Sequence, residues 1–204
     1  AAVAATMAAT AAAVTTAGFK FNSLTQQGEI AFTTMLQSGD KAKAFLADLQ
    51  DFAARTPFEY ATLMEASQKM LAMGFTENDV LPTLSAIGDA VSGLGGGQEK
   101  IDRVVIALGQ MQAKGKAASQ EMMQLTEAGI PAWEMLAEAI GVGIPEAMKM
   151  VEKREVSAQQ AIEAVVAGMN KRFGGMMEEQ SKTFAGLWST IMDTFQIASG
   201  QITK

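Results

Sequence analysis

The glycines and prolines between Ala107 and Gly141 constrain this chain more than any other feature of it. The stretch reads ALGQMQAKGKAASQEMMQLTEAGIPAWEMLAEAIG. Gly115 is placed to end one helix. Ser119 can cap the next, because its hydroxyl can accept a bond from an N–H with no partner inside the helix. Gly129 ends that helix, and Pro131 suits the first position of a third, where its missing N–H is no loss. Gly141 can take the left-handed closing position. This punctuation predicts three short helices with tight joints.

The same signals recur along the chain. Leu24, Ile30, Phe32 and Met35 follow a loosely helical pattern, and Ser38-Gly39-Asp40 reads as a turn. Ala42, Phe45, Leu49 and Phe52 then form an apolar stripe. In Thr56-Pro57-Phe58-Glu59 the threonine is placed to cap, the proline to be the first helical residue, and the glutamate to reach back. That is a capping box, with a helix running on to Met73 and a stop at Gly74. Thr76 to Val80 is expected to be a short helical turn, since Pro82 would disturb a longer one. Val80, Leu84, Ile87, Val91 and Leu94 recur with heptad spacing, presenting one apolar seam to a partner helix. Ile101, Val104, Val105, Leu108 and Met111 form the next apolar face.

Further on, Pro145 starts a short helix carrying Met148 and Val151. Ser157 with Gln160 makes a second capping box. The helix behind it is expected to bury Ala161, Ile162, Val165, Val166, Met169 and Phe173. Gly174-Gly175 reads as a hinge, and Met177, Gln180, Phe184, Leu187, Ile191 and Phe195 continue as a near-heptad seam. Both seams are candidates for self-association, against packing within the chain. No segment alternates with period two over a useful length. The expected class is therefore all-α: a compact domain of roughly eight to ten short helices broken by Gly and Pro.

Composition removes much chemistry. Histidine and cysteine are both absent, which excludes the common general base, the best zinc ligands and every triad that needs them. Without cysteine there is no disulfide framework, as suits synthesis inside a cell. Glu178-Glu179, and Asp51 with Glu59, are carboxylates that nothing sets opposite one another. A Ser–Lys pairing is not a pattern that sequence can decide. Gly93 to Gly97 fits neither phosphate-binding fingerprint and follows a helix where those need a strand, so it reads as a flexible joint. No catalytic, cofactor-binding or metal site is expected, and no cofactor. The 16 basic and 22 acidic residues give a net charge of −6, which disfavours wrapping phosphates. Fifteen methionines suit irregular core gaps.

Residues 1–18 are mostly alanine and threonine, a helix or linker. Alanine is only weakly apolar, so a membrane span is disfavoured. Residues 19–198 are expected to be the helical domain, and 199–204 the tail of a fragment. The chain opens on Ala1 without a basic leader, and a piece of a longer polypeptide is expected.

Four blocks also carry a resemblance. They are LADLQDFAARTPFEYATLMEASQKMLAMGF from Leu46, LPTLSAIGDAVSGLGGG from Leu81, ALGQMQAKGK with LTEAGIPAWEMLAEAIGV, and GMNKRFGGMMEEQSKTFAGLWS from Gly168. In this order they resemble the tape measure domain of phage tail tape measure proteins. At Lys153-Arg154-Glu155 that family commonly has a central glycine, so the usual left-handed stop is in doubt at Arg154. The resemblance implies a structural virion protein of a phage or prophage, not an enzyme. Such a protein is made in the bacterial host cytoplasm, lies in the lumen of the tail tube, sets tail length during assembly, and leaves at genome delivery. Implied partners are the tail tube protein, the tail-tip or baseplate initiator, tail assembly chaperones and other copies of itself. Some family members carry a muralytic or peptidase module elsewhere in their length, but these residues give no sign of one. The rival from another class is a helix-turn-helix reader of DNA over Trp133 to Arg154. Its proposed recognition helix carries Glu146 and Glu152, which face phosphates poorly.

Overall fold

The computed structural model describes residues 24–183, which form ten helices and no strand among the described residues. The chain divides into two compact units, 1–50 and 51–204. In the first, α1 spans residues 24–36, and α2 (Gly39–Ala54) begins there and runs past the division. Phe32 of α1 and Phe45 of α2 pack with ring centroids 5.0 Å apart and planes tilted by 37°, and Ala42, Leu46 and Leu49 are buried too. The expected α1 stripe is only partly used: Phe32 is buried, whereas Ile30 and Met35 are exposed. The turn also lies earlier than expected. Gln37 takes the left-handed conformation at φ 54°, the Ser38 hydroxyl accepts the Lys41 N–H at 3.3 Å, and Gly39 is already helical.

The second unit holds α3 (Tyr60–Ala72), α4 (Glu77–Gly93), α5 (Gln98–Lys114), α6 (Ser119–Glu127), α7 (Ala132–Ile140), α8 (Ile144–Glu152), α9 (Ala158–Phe173) and α10, from 176 to 183. Its core is α4 lying along α9, with α3 and α5 packed alongside and α7 against α9. Val80, Leu84, Ile87 and Val91 are all buried there and Leu94 is half-buried, so most of the first apolar seam is used within the chain. Helical glycines let neighbours approach closely. A Cβ on Gly168 would sit 2.4 Å from Met135 Cγ, one on Gly109 2.1 Å from Met73 Sδ, and one on Gly88 2.3 Å from Met177 Sδ. Each small residue thus seats one adaptable methionine.

Several expected helix starts are corrected. The TPFE segment is not a capping box: α3 begins only at Tyr60, Glu59 is extended, and no side chain caps it. The Thr56 hydroxyl instead donates to the Ala53 carbonyl at 3.4 Å. Phe58 explains the shift, because its ring packs against α4, 3.2 Å from where a Gly88 Cβ would be. The helix α4 is unbroken through Pro82. Pro82 is exposed, and losing one N–H near the helix start is outweighed by burying the seam. For α6 the cap is Ala118, not Ser119. The loop before it runs extended against 156–158, with Ala117 N–H on Val156 O at 3.2 Å and Ala158 N–H on Gly115 O at 3.3 Å. For α7, Pro131 precedes the helix. Its φ −75°, ψ 62° and the 2.7 Å bond from Ala132 N–H to Ile130 O make an inverse γ-turn.

The stops are where the glycines put them. Gly74, Gly115, Gly129 and Gly141 all have positive φ. Arg154 also takes the left-handed stop, at φ 62°, which corrects the doubt raised by its missing glycine. Arg154 N–H reaches Val151 O at 3.0 Å and Glu155 N–H reaches Met150 O at 2.9 Å, the two bonds of a Schellman closure. A side chain is strained there, so Arg154→Gly should stabilise the fold by about 0.5–1 kcal/mol in urea denaturation, after the extra chain entropy of glycine. A loss of stability would show that Arg154 has a role beyond closing the helix. The Ser157–Gln160 capping box is present in both directions.

Candidate functional site

The most heavily built feature is the joint after α9. Gly174 and Gly175 break the helix, with Gly175 at φ 86°. A helix restarted at 176 needs acceptors for its first N–H groups. Asp89, buried about one turn before the end of α4 at 7% exposure, accepts Gly175 N–H at 3.1 Å and Met177 N–H at 2.9 Å. Both carboxylate oxygens are therefore used, and their charge faces the positive end of α10. Gly88 beside it receives Met177, and Gly93 one turn on receives Phe173 and Met176. A groove of about 680 Å³ opens next to this latch, lined by Phe52, Arg55, Ser85, Met177 and Lys182 among others.

Ion pairs secure the same end of α9. Arg172 donates to Glu134 at 3.0 Å, and Lys171 donates to Glu138, so the last turn of α9 is tied to α7. The Arg172 hydrogen bond, then its charge, holds the Glu134 carboxyl below its ordinary value. The Lys171 hydrogen bond and charge do the same for Glu138. A depressed folded value means that the stabilisation is present above the unfolded pKa and is lost as pH falls through the folded one. The melting advantage of the native chain over Glu134→Gln/Glu138→Gln should therefore shrink between about pH 6 and about pH 3. An advantage that grew on acidification would contradict the assignment.

The other sequence candidates are placed as follows. Glu178 and Glu179 lie on the exposed side of α10, both held by Lys182 at 3.0 and 2.9 Å. No hydrogen bond or ion pair joins Asp51 to Glu59 among the described residues. Gly93 to Gly97 is a closed turn, with Gly96 N–H on Val91 O at 2.8 Å and Gly97 at the cap of α5. The helices α7 and α8 form a pair across Gly141, and the exposed residues of α8 include Ile144, Glu146, Met148 and Lys149. Of the second seam, Met177 is buried, and Phe184, Leu187, Ile191 and Phe195 lie outside the described residues, as does 1–18. Among the described residues no group of three or more acidic side chains is placed to hold a metal ion. No described helix is long and apolar enough to cross a membrane.

A family model described as tape measure protein matches residues 15–204. The chain belongs to the tape measure protein family. A relative is the Mu-like prophage FluMu protein gp42 of Haemophilus influenzae, 29% identical over 170 residues, which cover 82% of this chain and 26% of the relative. The chain thus spans about a quarter of the length of that protein. No solved structure matches. Two of the blocks that carry the tape measure resemblance supply the latch: Gly88, Asp89 and Gly93 come from one, and Phe173, Gly175 and Met177 from another. The site's key residue, Asp89, was missed by sequence reasoning. The signal available was a lone acid inside the buried seam, between Ile87 and Val91.

Proposed function

We propose that this tape measure segment is a folded anchoring or initiating module of the tail, and not a stretch of the ruler itself. The whole protein, in this reading, sets tail length, lies in the lumen of the virion tail, and takes part in genome delivery without catalysing a reaction. Its partners are the tail tube protein, the tail-tip or baseplate initiator, and the assembly chaperones. The observation that carries the reading is the latch. Asp89 and Met177 stand 88 residues apart in sequence, which would be about 130 Å along one continuous helix. Here they are directly bonded. A chain that returns on itself so closely contributes little length per residue.

Two variants of the encoding phage or prophage test this, with tail lengths measured by electron microscopy. A tandem duplication of the segment should leave the length of assembled tails unchanged, and an in-frame deletion should abolish assembly. Tails lengthened or shortened in proportion to the residues added or removed would contradict the reading.

A further inference from the structure

We propose that the cleft between the start of α4 and the first turns of α9 is a docking site for a partner segment presenting a Lys or Arg beside an apolar anchor. The cleft holds about 390 Å³. Phe75 and Ile162, each 7% exposed, line it with Pro82, Val166, Thr83 and Gln159, and the exposed Asp79 and Glu163 line it as well. The Gln112 amide donates to the Gly74 carbonyl at 3.1 Å and fixes one end.

Many carboxylates of this unit are ion-paired, but among the described residues the two that line the cleft are not. Glu99, Glu121, Glu134, Glu138, Glu178 and Glu179 each hold a cation. Asp79 accepts only from the Thr76 hydroxyl, at 2.5 Å. Glu163 accepts from the Gln159 amide, at 2.9 Å. Both partners are neutral, neither acid is ion-paired among the described residues, and no described lining residue is Lys or Arg. The cleft therefore carries two carboxylates without an ion-pair partner beside the apolar side chains of Phe75, Pro82, Ile162 and Val166. An apolar side chain seated on Phe75 and Ile162 would expel water and strengthen the attraction of a neighbouring cation to both carboxylates. The net charge of −6 draws such a partner in and repels an acidic one. The same charge argues against a second copy of this chain as the occupant.

The test is a methyl-resonance titration of the whole chain with two short synthetic peptides, one alternating leucine with lysine and the other leucine with glutamate. The lysine peptide should shift the Ile162 and Val166 methyls saturably, and Asp79→Asn/Glu163→Gln should weaken that binding by about tenfold or more, about 1.4 kcal/mol. Far-UV circular dichroism of the double variant should match the native chain. Equal response to both peptides, shifts that bypass these methyls, or an undiminished response in the double variant would overturn the proposal. So would self-association in sedimentation that the double variant abolishes, because the occupant would then be a second copy. These outcomes stand apart from whether the segment sets tail length.

Discussion

Asp89→Ala is expected to lower the unfolding free energy by about 3 kcal/mol, counting two bonds to a charged acceptor. Its two oxygens satisfy Gly175 N–H and Met177 N–H, and alanine leaves both donors unmet at a joint where Met177 is buried. The charge opposite the helix start is lost as well. Asp89→Asn keeps one acceptor oxygen without the charge and should lose about half as much. The damage should be local before it is global, because α10 is joined to α9 only through two glycines. Amide hydrogen exchange at Gly175 and Met177 should therefore accelerate more than exchange in the middle of α5. If Asp89→Ala stayed within about 0.5 kcal/mol of the native chain, as an ordinary surface change does, the latch would not be holding α10.

The contrast between helix ends explains what was legible in the sequence. Gly115, Gly129 and Gly141 stop helices as expected because a left-handed closing residue is a local demand that glycine meets alone. Starts depend on what the preceding loop touches. Ser119 lost its capping role because 116–118 lie extended against 156–158. Thr56 lost its own because Phe58 packs on α4. The Ser157–Gln160 box makes both of its bonds, although Ser157 also pairs with Lys116. The seam from Val80 was legible as a buried stripe, but nothing in its spacing says that α9 covers it. Asp89 was illegible for the same reason, since the groups it serves lie 86 and 88 positions away. Arg154 shows the converse: the Schellman bonds from its own N–H and that of Glu155 fix its conformation despite the wrong residue type.

Lys114→Met should cost about 3 kcal/mol, at the low end for breaking a buried pair because the lysine itself reaches solvent. Glu121 is fully buried at the start of α6. One of its oxygens accepts Lys114 Nζ at 2.5 Å, and no protein donor reaches Oε2. The ammonium is therefore the group that compensates this carboxylate, while Lys114 remains 44% exposed. That asymmetry fixes the order of effects. Without the lysine, a buried charge stands uncompensated; without the glutamate, the lysine turns to water. Glu121→Leu should cost clearly less than Lys114→Met, and Lys114→Met/Glu121→Leu should recover to within about 1 kcal/mol of the native chain, since apolar packing replaces a buried pair well. Urea denaturation of the four proteins measures the cycle. A double variant as unstable as the two losses added together would mean that the pair is not coupled, and that Glu121 is held by its backbone position on α6 instead of by Lys114.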